Sequence, residues 1–248
     1  MNGHAIDLSA IGAVVFDSDG VVTDTARVHA AAWKHVFDGF LRGRSAPFDI
    51  RADYVRHVDG RPRLDGLRTF LASRGITLPA GSADDEPGAP TEHGLGRAKD
   101  LEFQAQVDKY GVAAFPSAVA LLHELRRRGC RTAAVTSSTH GRKLITGAGV
   151  AHLFDLVVDG NDAALMNLPG KPDPALFLEA CRRLDLRAAR AAVVEAALPG
   201  LEAGRKGGFG LVVAVDRNGR AAEMRELGAD LVVRDLSELE VRGRVPVS

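Results

Sequence analysis

Short apolar, β-branched runs recur along the chain, at residues 13–16, 132–136, 156–158, 192–194, 211–215 and 231–233. Continuous runs of this length suit strands covered on both faces, as in a parallel sheet. Between most of them, apolar residues fall every three or four positions. Residues 116–128 open with Pro116 at a helix-entry position and stop before Gly129, a C-terminal signal. Residues 173–184 and 200–207 read as helices in the same way. Strand alternating with helix predicts a doubly wound α/β fold with right-handed crossovers.

Residues 25–111 break this rhythm. They contain no convincing buried strand and predict helices over 25–41, 63–74 and 97–110. The segment 78–96 is rich in Gly, Pro, Asp and Glu and reads as a long surface loop or a partly disordered stretch. The expected organisation is a Rossmann-like parallel-sheet core, residues 1–26 and 112–248, with an inserted all-helical domain over 27–111. There is no internal repeat.

Composition narrows the class. Of 248 residues, 46% are hydrophobic and 26% charged, so the chain can bury a real core. Lys and Arg number 32, as do Asp and Glu, and this balance argues against a nucleic-acid partner. Two cysteines exclude a disulfide scaffold, and Cys130 and Cys181 are expected as free buried thiols. The N-terminus has neither the basic nor the apolar region of a leader, and no apolar stretch is long enough to span a bilayer. The expectation is a soluble cytoplasmic protein with no membrane partner.

In open α/β sheets, ligands sit at the carboxyl ends of the strands. After the first run comes Asp17-Ser18-Asp19-Gly20, and after the second comes Thr136-Ser137-Ser138. The third leads through an expected loop to Gly170-Lys171-Pro172, and the fourth ends in Glu195-Ala196. Asp17 and Asp19, two residues apart, can face one cleft. A carboxylate can attack phosphorus and form an aspartyl phosphate. Carboxylate and phosphate repel, so a cation must bring them together, and Mg²⁺ suits oxygen ligands of this kind. Lys171 can add positive charge, Thr136 and the N–H groups after it can hold phosphate oxygens, and Asp19 can shuttle the proton. Each piece alone has a bland reading as a turn, cap or solvated side chain. Their placement after successive strands, in order, makes the set point to phosphoryl transfer.

These residues resemble the haloacid dehalogenase-like superfamily, in the stretch from Phe16 to Thr25, Thr136, Lys171 in Gly-Lys-Pro-Asp-Pro, and Val193 to Gly204. The resemblance covers nearly the whole chain. It implies Asp17 as nucleophile, Asp19 as general acid/base, Thr136 and Lys171 as further catalytic residues, and Mg²⁺ held by Asp17, the Asp19 backbone carbonyl and fourth-motif carboxylates. The insert resembles the cap of the β-phosphoglucomutase-like members. Thr25, His29 and Trp33 stand at the matching spacing, with His29 and Trp33 on one helix face. Gly60 and Arg63 match a cap loop that grips the non-reacting phosphate, a task that suits arginine. Lys99 matches a lysine reaching the sugar and the hinge. Ser137, Ser138 and His140 complete the expected substrate-binding set.

One position departs from the pattern. Ala196 occupies the place of an aspartate that ligates the metal in these relatives, and alanine cannot ligate. Glu195 or water is expected to take over. The implied activity is a mutase acting on a small phosphorylated sugar, converting β-glucose 1-phosphate to glucose 6-phosphate, in a monomer. Two alternatives stand beside it: a sugar-phosphate phosphatase, and a catalytically weak sugar-phosphate-binding relative, motivated by Ala196.

Overall fold

A computed structural model of the chain describes residues 4–244. The leader-free reading of the N-terminus falls partly on residues 1–3, outside the described residues. In chain order the strands are β1 (Ala5–Asp7), β2 (Ala13–Asp17), β3 (Arg131–Val135), β4 (Leu156–Val158), β5 (Ala191–Glu195), β6 (Leu211–Val215), β7 (Leu231–Val233) and β8 (Glu240–Arg242). The α-helices are α1 (Ala26–Leu41), α2 (Arg63–Ser73), α3 (Glu92–Tyr110), α4 (Pro116–Arg127), α5 (Gly141–Gly147), α6 (Gly160–Met166), α7 (Ala175–Arg183), α8 (Leu198–Lys206) and α9 (Ala221–Glu226).

The six apolar runs form one parallel sheet in the order β4-β3-β2-β5-β6-β7. The central β2 pairs with β3 on one side and β5 on the other. The strand order therefore reverses around β2, which opens a crevice beyond its carboxyl end. Side chains of β2 alternate between faces. Val14 and Phe16 pack with Leu121, Leu122 and Leu125 of α4. Ala13 and Val15 pack with Leu176, Phe177 and Ala180 of α7. Burial on both faces explains why the runs are continuous rather than alternating. A small ribbon, β1 parallel to β8, was not legible, because three-residue strands carry no periodicity.

Between β2 and β3 the chain makes the helical insert. In α1, Ala30, Trp33, Val36, Phe37 and Leu41 form a buried stripe that meets Phe48, Phe70 and Leu95. Helix α3 begins at Glu92, five residues before the expected start. The Thr91 side chain accepts a bond from Gly94 N at 2.9 Å and caps it, so 92–96 is helix rather than loop. Residues 50–58 form a π-helical segment that sequence reasoning missed. Its five-residue bonds run from Tyr54 N to Asp49 O (3.1 Å) and from Asp59 N to Tyr54 O (2.9 Å). The stretch expected as a loop before Lys171 contains α6, started by a reciprocal capping box between Asp159 and Asp162. Cys130 and Cys181 are free and buried.

Candidate active site

The first two catalytic candidates follow from where β2 ends. Asp17 is its last residue, and Asp19 lies in the turn beyond. Lys171 is buried beneath them. Its ammonium bonds Asp17 Oδ1 at 2.5 Å and Glu195 Oε1 at 2.5 Å, 4.7 Å above the Phe177 ring. Two carboxylates thus share one buried cation. Burial and the neighbouring Glu195 charge push Asp17 upward against the pull of Lys171.

Asp19 has the opposite environment. Its carboxylate accepts the Thr25 hydroxyl and, at 2.8 Å, the Thr136 hydroxyl. His29 Nε2 lies 3.6 Å away. Burial opposes ionisation, but His29 and the two hydroxyls hold Asp19 well below the usual carboxylate range. Behind it runs a relay. Lys99 Nζ donates to His29 Nδ1 at 2.7 Å, which leaves the imidazole hydrogen on Nε2, facing Asp19. His29 stacks on Phe103 with centroids 4.0 Å apart. Burial, then the Lys99 charge, brings His29 down to about 4. Burial, then Arg63, brings Lys99 down to about 7.

A cavity of about 690 Å³ lies between core and insert. Of the residues expected from the sequence, Asp17, Asp19, His29, Trp33, Gly60, Arg63, Lys99, Ser137 and Ser138 line it. Thr136, Lys171 and Glu195 stand behind that wall. So does Thr25, which touches Asp19 and positions it rather than reaching the cavity. His140 is outside the lining too, beside Asp100 (3.8 Å) and Gln104 (3.4 Å). Trp33 has two roles, since it also stacks on Phe37 in the insert's core.

The insert seats on the core through glycines. Gly60, at φ +73°, lies where a Cβ would come 2.7 Å from Ala197 Cβ, and its carbonyl accepts Ser137 Oγ at 3.2 Å. A Cβ on Gly170 would meet Pro62 Cγ at 2.1 Å. Asp59 and Arg61, which flank Gly60 in the stretch resembling a phosphate-gripping loop, also line the cavity, as do Tyr54 and Asp100, which sequence reasoning missed. Asp59 is raised to about 7, first by burial and then by Glu195. Tyr54 sits in the π-helical segment, which no spacing signals. The run of charges around Gly60 was the available sign for Asp59 and Arg61.

A divalent cation needs free oxygen donors at this wall. Glu195 does not stand free: Oε1 holds Lys171, and Oε2 accepts Ala196 N and Ala197 N, both at 2.8 Å. Both carboxylate oxygens of Asp19 take hydroxyls, which leaves its backbone carbonyl as the donor it can offer, and Ala196 offers a methyl group. Among the described residues, no group of three or more His, Cys, Asp or Glu side chains could hold a metal ion. The side chains present do not fit a divalent site closed by the protein alone.

The chain is 41% identical over 239 residues to a β-phosphoglucomutase of Mycobacterium tuberculosis, covering 92% of this chain and 91% of the relative. It is 26% identical to a validoxylamine A 7′-phosphate phosphatase of Streptomyces hygroscopicus, covering 91% and 94%. A crystal structure of β-phosphoglucomutase from Clostridium difficile superposes with a TM-score of 0.73 at 19% identity, over 93% of each chain, and shares the fold. The model for haloacid dehalogenase-like hydrolases matches residues 11–208, which span β2, the insert, Lys171 and Glu195. With Asp17 and Asp19 at the switch point, Thr136 and Lys171 behind them and a helical insert across the cavity, the chain belongs to the haloacid dehalogenase-like hydrolase family.

Proposed function

We propose that this chain transfers the phosphoryl group of small phosphorylated sugars through a phosphorylated Asp17, and that its reaction is the conversion of β-glucose 1-phosphate to glucose 6-phosphate. The observation that carries the reading is the pairing of a lysine-held Asp17 with a hydroxyl-held, ionised Asp19 at one wall of a cavity. Residues 27–111 act as a cap over a core of 1–26 and 112–248. The chain completes the site with its own cap, which suits a monomer, and phosphorylated sugars place the work in the cytoplasm.

The chemistry follows from the two carboxylates. A sugar hydroxyl attacks phospho-Asp17 as its bond to the Asp17 oxygen breaks; Asp19, held ionised, takes the hydroxyl proton, and the Asp17 carboxylate is regenerated. In the return step an Asp17 oxygen attacks the other phosphorus as the bond to the sugar oxygen breaks, and Asp19 gives that same proton to the leaving oxygen. The Lys171 ammonium neutralises charge on the reacting group. The cap, seated through Gly60 and Pro62, excludes the water that would otherwise intercept phospho-Asp17.

Phosphomutases of this family use a divalent metal ion. Mg²⁺ is the ion we propose here, held weakly by the free chain because its side chains do not close a site.

A coupled assay with β-glucose 1-phosphate, Mg²⁺ and a trace of glucose 1,6-bisphosphate tests the reading. Glucose 6-phosphate should form, and Asp17→Asn should abolish both product and covalent label from phosphate-labelled substrate. Labelling that persists in Asp17→Asn removes the nucleophile assignment. Free phosphate in place of glucose 6-phosphate identifies the phosphatase. Binding without any product identifies the sugar-phosphate-binding relative, the reading that Ala196 favours.

A further inference from the structure

Two cations at the cap end of the cavity, Arg63 and Arg68, are already matched to carboxylates of the cap, whereas Arg61, which also lines it, has no such pair among the described residues. Arg63, at the start of α2, forms an ion pair with Asp100 on α3. Arg68 pairs with Glu92 at 2.6 Å and Asp65 at 3.3 Å. Arg63, Asp65, Arg68 and Asp100 all line the cavity. The Arg63 side chain is 33% exposed and that of Asp100 is 22%. Water therefore screens this pair only in part.

The expectation from sequence was that Arg63 grips the non-reacting phosphate. In the structure a carboxylate already occupies it. Carboxylate and phosphate compete for the same guanidinium fork, because both present oxygens at its spacing. A phosphate arriving at this end meets the Asp100 charge before it can use Arg63. It must break the pair first. Asp100 then has somewhere to turn, since His140 Nε2 lies 3.8 Å from its Oδ1. Arg63 Nε is buried and has no partner, so the guanidinium keeps a donor for the group that replaces Asp100.

We propose that Asp100 determines specificity at the cap end: by holding Arg63 it acts as a built-in competitor for phosphate and weakens the cavity's grip on a second phosphoryl group. This rests on the reading above, that the cavity takes phosphorylated sugars. The consequence is selective. A monophosphate with its phosphoryl group at Asp17 presents hydroxyls to the cap and leaves the pair intact. A bisphosphate must open it. A weak far-end clamp also suits an intermediate that has to turn round between two half-reactions, since a tight one would trap it.

Calorimetric binding in the Asp17→Asn background, which stops turnover, measures this directly. The probes are β-glucose 1-phosphate and glucose 1,6-bisphosphate. Adding Asp100→Asn should lower the bisphosphate dissociation constant ~10-fold relative to that of the monophosphate, the scale expected for releasing a partly buried charge pair. Adding Arg63→Gln to Asp100→Asn should return the ratio to its starting value. Arg63→Gln alone, with Asp100 in place, should change the ratio little. A ratio unmoved by Asp100→Asn, or moved towards the monophosphate, overturns the proposal while monophosphate binding continues to support phosphosugar recognition. A gain in ratio that survives Arg63→Gln overturns the competition with Arg63. Absence of monophosphate binding in every variant fails the phosphosugar reading, and the proposal with it.

Discussion

Asp59 shows how far a single side chain can be moved by its surroundings. It lies beside Gly60 in the helical insert and lines a cavity whose wall carries Asp17 and Asp19, with Glu195 and Lys171 just behind. Burial and the Glu195 charge raise it to about 7, while Tyr54 and Lys171 pull the other way. The folded state therefore holds a proton on Asp59 that the unfolded state releases near the ordinary carboxyl value of 3.8. Where the native state binds more protons, stability falls as pH rises. The Asp59 contribution is fully present below the unfolded value and is lost as pH climbs through about 7. Asp59→Asn cannot titrate and should flatten this part of the profile. Urea midpoints measured from pH 4 to 8 provide the check; parallel curves for parent and variant would show that Asp59 is solvated instead. Burial and then the Glu195 charge cause this shift, and both come from parts of the chain far away in sequence, so no local pattern could have revealed it.

At the scale of elements, the cap–core seam has the most direct consequence for chemistry. Gly170 precedes Lys171 and faces Pro62, the residue before α2. A Cβ there would sit 2.1 Å from Pro62 Cγ, and a proline ring has few ways to yield. Gly170→Ala should hold the cap off the core. We expect a loss of ~10–100-fold in glucose 6-phosphate formation, the range associated with ångström-scale misplacement of reacting groups. Inorganic phosphate should rise as water reaches phospho-Asp17. If both products fall together in constant ratio, the seam does not exclude water.

The same scale shows what the sequence revealed. Strands β2 to β7 were legible because burial on both faces leaves unbroken apolar runs. Asp17, Asp19, Thr136 and Lys171 were legible because topology delivers residues after successive strands to one edge. The start of α3 was obscured by Gly94 and Gly96, which read as helix breakers until the Thr91 cap is seen. The π-helical segment was invisible because its bonds follow neither the 3.6-residue nor the two-residue repeat. Asp100 was invisible as a partner of Arg63 because the two lie on different helices.

Across the whole molecule charge is balanced, with 32 basic and 32 acidic residues, yet the cavity floor is not. Asp17 and Asp19 face it, Glu195 shares Lys171 with Asp17 just behind, and Ala196 follows Glu195 in the chain. An aspartate at 196 would add a fourth carboxylate to a buried, already acidic floor. Without a cation, that charge is uncompensated and should destabilise the fold. With a divalent ion, the same carboxylate becomes a ligand, and binding to the folded state alone raises stability with ion concentration. Ala196→Asp should therefore melt below the parent in chelator and gain steadily as Mg²⁺ is added, while the parent responds little. The gain should correspond to at least a ~10-fold tighter ion, the lower end of what one metal-supporting side chain contributes. Thermal unfolding of both chains across a Mg²⁺ titration measures this without any assay of turnover. Equal responses from the two chains would mean that position 196 does not face the ion, and that Glu195, despite its bonds to Lys171 and two backbone N–H groups, releases an oxygen to bind it.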